Sequence, residues 1–393
     1  MIFRAIIFLL VTATFAFSQQ LERVWTDEKG RNMKASLIKV EGESAVLLMP
    51  DGRKIPYPIV KLSKTDQAFI EKFKLEKEEV KSGEVEKPAD NFDAPWPEKI
   101  SYDGDPEIET IEEDADQKSF IYESANYRYN CDVRLSKSVV KGFAVMFEAT
   151  HQFVRELPLA VSGGVKKNGK YQIILMETEQ SYNAAGGPPG SAGVFMGGKD
   201  IVMVPLTSLG VRPLGSGYML DRDKSNKTLP HELVHQLTPN KYYAHGSMGW
   251  LTEGLAEYVA VTPYSYGNFN VKTNFKPIVE YVTAYGKKGD GGRAIGTKIN
   301  LGSLRSWMLQ PYASFTASSQ INYGCGLLIT NYFFHMDRNE DAARIKKFLK
   351  ALNEGKEGDE ALAVLLDGQT WEQLEAEIAK AYSRKGVDFT FSK

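Results

Sequence analysis

Two histidines and a glutamate occur at a spacing that suits metal chemistry. Residues 231–235 read HELVH, and the whole chain has five histidines. Side chains four residues apart on a helix lie on the same face, so His231 and His235 can direct ring nitrogens at one ion. Glu232 is rotated by about 100° from His231, which lets it reach a water beside that ion. The pattern predicts a metal-dependent hydrolytic site on a helix, in preference to a core helix with two hydrogen-bonded histidines.

Such a site needs a third protein ligand and an open fourth position, and three downstream residues are candidates. Glu253 and Glu257 lie one turn apart in the segment 249–259, which has a helical pattern. Glu253 can therefore bind the metal while Glu257 accepts the remaining ring N–H of a histidine ligand, a contact that fixes the imidazole orientation. His245 lies ten residues after His235 in an expected loop. The HExxHxxGxxH pattern that would make a histidine the third ligand is absent, so His245 is expected to be a structural residue of the cleft.

These residues resemble the gluzincin metallopeptidases, the group that includes thermolysin and the HExxH aminopeptidases. The resemblance rests on HELVH and on WLTEGLAEYV at 250–259, with 17 residues between His235 and Glu253. It implies that His231, His235 and Glu253 bind Zn²⁺ and that Glu232 is the general base of a peptidase.

A further resemblance starts at Tyr323, which is followed three residues later by Gly326 at the start of an apolar helix. In the aminopeptidases of the group a tyrosine at this spacing stabilises the oxyanion, which implies a catalytic role for Tyr323; packing at the helix start is the alternative. The aminopeptidase signature GxMEN is replaced by GVFMGG at 193–198. The glutamate of that signature, which binds the free amino terminus of the substrate in the aminopeptidases, is therefore missing. An endopeptidase acting on a peptide or protein substrate is therefore expected. The alternatives are an aminopeptidase and a non-catalytic envelope or matrix binding protein on a degenerate peptidase fold.

The surrounding segments predict a gluzincin-like α+β domain over 119–393. An amphipathic helix is expected at 136–157, and 171–176 (YQIILM) has the composition of a buried strand. Two short strands are expected at 193–196 and 201–205, and the resemblance places such a strand beside the cleft, where an extended substrate pairs with its edge. The expected architecture is a mixed sheet with an active-site helix, followed by a helical part. Three of the later helices are expected at roughly 340–352, 358–366 and 371–384.

Residues 21–73 have the pattern of a small β module that precedes this domain. Four short runs of β-prone residues alternate with turn signals, including Asp51-Gly52, before Ser63 begins a short helix. The pattern resembles the SH3-like Sla homology domain, which is often appended to exported bacterial proteins. The resemblance implies a small barrel that binds a peptide or a surface; a spacer without a ligand is the alternative.

An acidic segment separates the two. Residues 74–87 carry charges of both signs, and eight acidic residues without a basic one lie between Asp103 and Asp116. Because like charges repel and the prolines of this segment cannot continue a helix, 74–118 is expected to be an acidic flexible linker. A calcium-binding loop is disfavoured because the EF-hand spacing is absent.

The amino terminus predicts export. Residues 1–18 place Arg4 before a short apolar run and end in small residues, which is the layout of a secretory signal peptide cleaved after Ser18. An uncleaved membrane anchor is the alternative. No later segment is long and apolar enough to span a membrane, so a secreted or periplasmic protein is expected. In such a compartment Cys131 and Cys325 are expected either to form a disulfide or to remain buried thiols.

The overall composition excludes other classes of protein. The 393 residues include 48 basic and 50 acidic side chains, for a formal net charge of −2. A dedicated nucleic-acid-binding protein would show a basic excess. Two cysteines are too few for a disulfide scaffold or a four-cysteine zinc site. The length favours two folded units.

Overall fold

The computed structural model describes residues 22–49, 53–71, 84–85, 90–221, 228–238, 248–284, 292–337 and 340–392. The chain divides into two compact units, Met1–Ser82 and Gly83–Lys393. Helices and strands are both abundant, which confirms a mixed α and β architecture. The signal peptide predicted at 1–18 lies outside the described residues.

The first unit contains a four-stranded antiparallel sheet followed by a helix. Trp25 and Ile70 are fully buried in its core, and the Trp25 indole N–H donates to Ala35 O over 3.0 Å. The elements lie where the sequence predicts them. The strands, paired in chain order, are β1 (Glu22–Thr26), β2 (Asn32–Glu41), β3 (Ser44–Leu48) and β4 (Lys54–Pro58), followed by a 3-10 turn at Ile59–Lys61 and helix α1 at 64–71.

The second unit is built on a mixed sheet. Its strands are β5 (Glu84–Val85), β6 (Lys99–Ser101), β7 (Glu109–Asp114), β8 (Ser119–Glu123), β9 (Tyr127–Cys131), β10 (Val165–Lys166), β11 (Tyr171–Met176), β12 (Val194–Met196), β13 (Ile201–Pro205), β14 (Val211–Leu214), β15 (Gly217–Leu220), β16 (Tyr264–Ser265), β17 (Asn268–Asn270), β18 (Lys298–Asn300) and β19 (Asp388–Thr390). Six of them form one sheet in the order β12-β13-β11-β9-β8-β7. Within it β9, β11 and β13 run parallel, whereas the outer pairs are antiparallel. The remaining strands form small two- and three-stranded sheets.

Helices cover the sheet and form most of the C-terminal half. They are α2 (Lys137–Glu156), α3 (Glu179–Ala184), α4 (Thr228–Leu237), α5 (Gly249–Val261), α6 (Phe275–Thr283), α7 (Leu304–Met308), α8 (Tyr312–Ala317), α9 (Ser319–His335), α10 (Ala343–Asn353), α11 (Gly358–Leu366) and α12 (Trp371–Ser383), with 3-10 turns at Leu206–Leu209 and Glu340–Ala342. The helices that the sequence predicts for this unit are therefore confirmed. Within the described ranges, no helix combines the length and the apolar character needed to cross a membrane.

Helix α2 packs across the sheet through its apolar stripe. Ser136 caps the helix by accepting a hydrogen bond from the backbone N–H of Val139. Phe143 and Phe147 contact the ring of Tyr129, with centroids 5.4 and 5.2 Å away. Tyr129 is buried because alternate residues of β9 face the core. Next to this layer, α4 packs against β12 and β13 and also against α5.

Helices α5 and α9 cross at a pair of glycines. A Cβ atom on Gly254 would lie 2.5 Å from Gly326 O and 2.3 Å from Thr330 Oγ1, so no larger residue fits there without movement of the helices. Both helices are buried along most of their length. The close crossing brings the first turns of α9 beside α4 and α5.

The acidic segment is folded in its second half, and the prediction of a flexible linker over 74–118 was wrong for residues 90–118. This part includes strands β6 and β7, and β7 pairs with β8 along the sheet edge. Phe92 and Ile100 are buried in the core of the unit. The acidic side chains are compatible with a strand here because β7 lies at the edge of the sheet. Its backbone pairs with one neighbouring strand while most of its side chains stay in solvent.

The two cysteines are separate buried thiols. Cys131 ends β9 and Cys325 lies within α9, and no disulfide joins them. Burial raises the pKa of both thiols, so neither is a thiolate at neutral pH. Of the two possibilities that the sequence leaves open, the structure shows the unpaired one.

Candidate metal centre

The two histidines of the HELVH motif lie on α4, which packs between the sheet and α5. Leu233, Val234 and Leu237 are buried, and this fixes the rotation of the helix about its axis. His231 and His235 then share a face because they lie one turn apart. Their ring centroids are 4.7 Å apart, and both side chains are buried.

Three potential ligand atoms from α4 and α5 lie close together. His231 Nε2 and His235 Nε2 are 3.1 Å apart, and Glu253 Oε2 lies 3.2 Å from the first and 3.3 Å from the second. In a tetrahedral site with metal–ligand bonds of about 2.0–2.1 Å, two ligand atoms are roughly 3.3 Å apart. The nearly equilateral triangle therefore fits one small cation. These residues form a group that could hold a metal ion.

The electrostatics of the cluster favour a bound positive charge. Glu253 is 1% exposed, and within the described part of the chain its Oε2 makes no hydrogen bond, although two ring nitrogens are near. Burial opposes ionisation of Glu253, but the two histidines outweigh it and hold its pKa well below the usual range. Burial likewise opposes protonation of His231, but Glu253 and Glu257 raise its pKa to about 10. Either a proton or a metal ion can supply the charge that this buried carboxylate requires.

Glu257 holds the His231 ring from its other side. The Glu257 Oε1 atom is 3.0 Å from His231 Nδ1, so Nδ1 carries a proton and Nε2 faces the cluster. Arg293 donates to Glu257 through Nε to Oε2 at 3.1 Å and through Nη2 to Oε1 at 2.5 Å. Burial opposes ionisation of Glu257, but His231 and Arg293 hold its pKa at about 2. The carboxylate is therefore charged at neutral pH and orients the imidazole.

A tyrosine outside any motif forms a hydrogen bond with Glu253. The Tyr312 hydroxyl donates a hydrogen bond to Glu253 Oε1, the carboxylate oxygen that does not face the histidines. Tyr312 and Arg293 lie 59 and 36 residues beyond their carboxylate partners. The sequence prediction missed both, because neither stands at a recognisable spacing from the motifs. Only their residue types, a hydroxyl donor and a bidentate cation, were a weak signal.

Glu232 lies beside an edge of the six-stranded sheet. Its Oε2 atom accepts a hydrogen bond from the backbone N–H of Phe195 over 2.8 Å. Phe195 is the middle residue of β12, an edge strand whose other side pairs with β13. The unpaired edge of β12 therefore runs past the Glu232 carboxylate. This carboxylate is half-buried, so water can reach it.

Tyr323 forms one wall of the site. Its ring stacks on the His231 ring, with centroids 5.9 Å apart and planes within 12°. The Arg293 guanidinium carbon lies 4.8 Å from the centroid of the same ring. Burial raises the pKa of the Tyr323 hydroxyl, and the charges of Glu253 and Glu232 raise it further. The phenol therefore stays protonated and can donate a hydrogen bond within the site.

Five of the six residues selected from the sequence lie in this one cluster, namely His231, His235, Glu253, Glu257 and Tyr323. The sixth, Glu232, lies near enough to Tyr323 for its charge to raise the pKa of that hydroxyl. His245 lies outside the described residues. No protein-family model matches the chain, and no curated protein matches it at a significant level. The geometry of the site is therefore the basis for assigning a function.

Proposed function

We propose that the Gly83–Lys393 unit is a zinc-dependent peptidase of the gluzincin type that hydrolyses internal peptide bonds. The observation that carries the proposal is the buried triangle of His231 Nε2, His235 Nε2 and Glu253 Oε2, with sides of 3.1 to 3.3 Å. Two imidazole nitrogens and one carboxylate oxygen are a donor set of catalytic zinc sites, in which a fourth position stays open. The motif resemblance supports the same assignment.

Each residue of the site has a separate task in this proposal. His231, His235 and Glu253 would hold Zn²⁺, which when bound lowers the pKa of a water and polarises the scissile carbonyl. Glu232 accepts a proton from the attacking water on its carboxylate and passes it to the leaving amine. Tyr323 donates a hydrogen bond to the oxyanion that develops on the carbonyl oxygen.

The edge of β12 supports an extended peptide as the substrate. A peptide that lies along this edge runs past Glu232, because that carboxylate accepts the Phe195 N–H at the same edge. Strand pairing at Phe195 itself requires Glu232 to release that N–H. The segment 193–198 contains no acidic side chain that could bind a free amino terminus. This favours cleavage within a chain over removal of its first residue.

For residues 21–73, within the first unit, we propose an SH3-like Sla homology domain that binds a peptide or a surface. Support comes from the four consecutive antiparallel strands followed by a helix and from the motif resemblance. We also propose that residues 1–18 are a signal peptide cleaved after Ser18, which would place the enzyme outside the cytoplasm.

Metal analysis and peptide cleavage together test the peptidase proposal. The purified mature protein should carry about one zinc per chain and should cleave internal bonds in a peptide library. A chelator should abolish cleavage, and added Zn²⁺ should restore it. A protein that binds zinc but cleaves no peptide in the library would favour the binding-protein alternative.

The proton-transfer step is tested by Glu232→Gln, with His235→Ala as the matched variant. Glu232→Gln should keep zinc and fold, since Glu232 is not a ligand, while turnover falls by about 10²–10⁴ because an amide cannot accept the proton. His235→Ala should lose both zinc and turnover. Unchanged turnover in Glu232→Gln would refute the mechanism, and full zinc retention in His235→Ala would refute the ligand assignment.

A further inference from the structure

The two oxygens of the Glu253 carboxylate have different partners. Oε2 lies within 3.3 Å of both imidazole Nε2 atoms, whereas Oε1 accepts the hydrogen bond of the Tyr312 hydroxyl. Glu253 is 1% exposed, so bulk water is not available to replace that donor. A carboxylate can bind a metal through one oxygen or through both, and the Tyr312 contact distinguishes the two oxygens here.

The Tyr312 hydroxyl is held in place by the packing of α8. Phe315, one turn later, is buried and lies against Gly249, where an added Cβ would be 2.8 Å from its ring. The Phe315 ring stacks on the Tyr323 ring with centroids 6.0 Å apart, and Asn322 donates its side-chain N–H to Phe315 O over 2.8 Å. Helix α8 is thus fixed between the start of α5 and the first turns of α9. Tyr312 is therefore a donor on a fixed element.

We propose that Tyr312 is a positioning residue that makes Glu253 bind the metal through Oε2 alone. Its hydrogen bond occupies Oε1 and fixes the plane of the carboxylate, so the protein supplies three ligand atoms and the fourth position stays open. Without the hydroxyl, this buried Oε1 atom loses the donor that Tyr312 supplies, which is unfavourable, and it turns toward the cation. The proposal rests on the proposed zinc site and its peptidase function.

The variant Tyr312→Phe removes the donor and keeps the ring. Zinc affinity, measured by competition with a chelator, should fall about 10–100-fold. In the cobalt-substituted protein, the strong visible absorption of a four-coordinate site should weaken, because Oε1 becomes an additional ligand. Phe315→Leu loosens α8 but keeps the hydroxyl, and it should shift the cobalt spectrum in the same direction if Tyr312→Phe does not fold.

The variant Tyr258→Phe is the matched control. Tyr258 also lies on α5, but its hydroxyl is 2.7 Å from His335 Nε2 and not on a ligand carboxylate. It should leave zinc affinity and the cobalt spectrum unchanged, with circular dichroism and thermal unfolding of the metal-free proteins as measures of fold.

Wild-type zinc affinity with an unchanged cobalt spectrum in Tyr312→Phe would overturn the proposal, as would equal changes in Tyr258→Phe. The outcome for the peptidase proposal is separate. If the wild-type protein cleaves no peptide while Tyr312→Phe still alters affinity and spectrum, the peptidase function fails and the positioning role stands. If the wild-type protein binds neither metal, both fail.

Discussion

Replacing Gly254 with alanine would test whether the crossing of α5 and α9 sets the metal geometry. The new Cβ would lie 2.3 Å from Thr330 Oγ1 and 2.5 Å from Gly326 O. Non-bonded heavy atoms prefer separations of about 3.5 Å, so the two helices must move apart by roughly 1 Å. The Gly326 oxygen belongs to the helix backbone and cannot rotate out of the way.

Two effects on stability oppose each other in this variant. Overpacking costs about 1–3 kcal/mol, whereas alanine favours a helix over glycine by about 1 kcal/mol. The free energy of unfolding of the metal-free protein should therefore fall by about 0–2 kcal/mol. The gain in helix propensity does not restore the geometry of the metal site. Glu253 is adjacent to Gly254 and therefore moves with α5. A displacement of roughly 1 Å takes Oε2 out of its triangle, and zinc affinity should fall by at least about 10–100-fold.

Chelator competition measures the zinc affinity of this variant, and chemical denaturation measures its stability. Gly142→Ala is the control: the added Cβ would lie 2.4 Å from Leu220 Cδ2, the end of a flexible side chain that can move. Zinc affinity should be unchanged in the control. Wild-type zinc affinity in Gly254→Ala, or an equal loss in both variants, would refute the link between the helix crossing and the metal site.

Three further outcomes are expected. Glu253→Ala should abolish zinc binding, whereas Glu257→Ala should weaken it roughly 10–100-fold because His231 loses the acceptor of its Nδ1–H; the reverse order in a zinc titration would mean that the two carboxylates are assigned backwards. Tyr323→Phe should lower kcat on the order of 10²–10³-fold with zinc content unchanged, and an unaltered kcat would remove Tyr323 from the mechanism. In the metal-free protein, Glu257 should stabilise the fold above its ordinary pKa of 4.5, and this contribution should be lost as pH falls toward the folded value of about 2. Urea unfolding at several pH values should show a smaller loss in Glu257→Gln, and equal losses would contradict the assignment.

The candidate metal ligands could be predicted because each lies in a short helical motif. Spacing along one helix fixes which side chains share a face, so His231 and His235 follow from HELVH alone. Glu253 and Glu257 follow in the same way from the second helix. That the two helices face each other could not be read from periodicity, and here it depends on the packing of α4 against α5.

The partners of the two carboxylates could not be predicted from local patterns. Arg293 precedes α7 and Tyr312 begins α8, and each reaches its partner because these segments pack against α5 and α9. Contacts of this kind depend on the tertiary arrangement, which a single sequence does not encode at any fixed spacing.

The folded acidic segment shows a limit of composition as a guide. Between Asp103 and Asp116 the sequence has eight acidic residues and no basic one, which favours a solvated linker. An edge strand needs little burial, because its backbone bonds to one neighbour and its side chains can remain in solvent. Charge content alone therefore does not distinguish a linker from an edge strand.

The two edges of the six-stranded sheet differ in charge, and this difference bears on aggregation. β7 carries four acidic residues among six, whereas the three residues of β12 are uncharged. An edge strand without a partner has backbone N–H and C=O groups that can pair with a strand from another molecule, and charged side chains oppose such pairing. The charges of β7 thus protect this edge against edge-to-edge pairing with another sheet. At the β12 edge the Phe195 N–H is already bonded to Glu232. A strand from a second molecule would therefore have to displace that carboxylate to pair there, as would a bound peptide in the proposed peptidase.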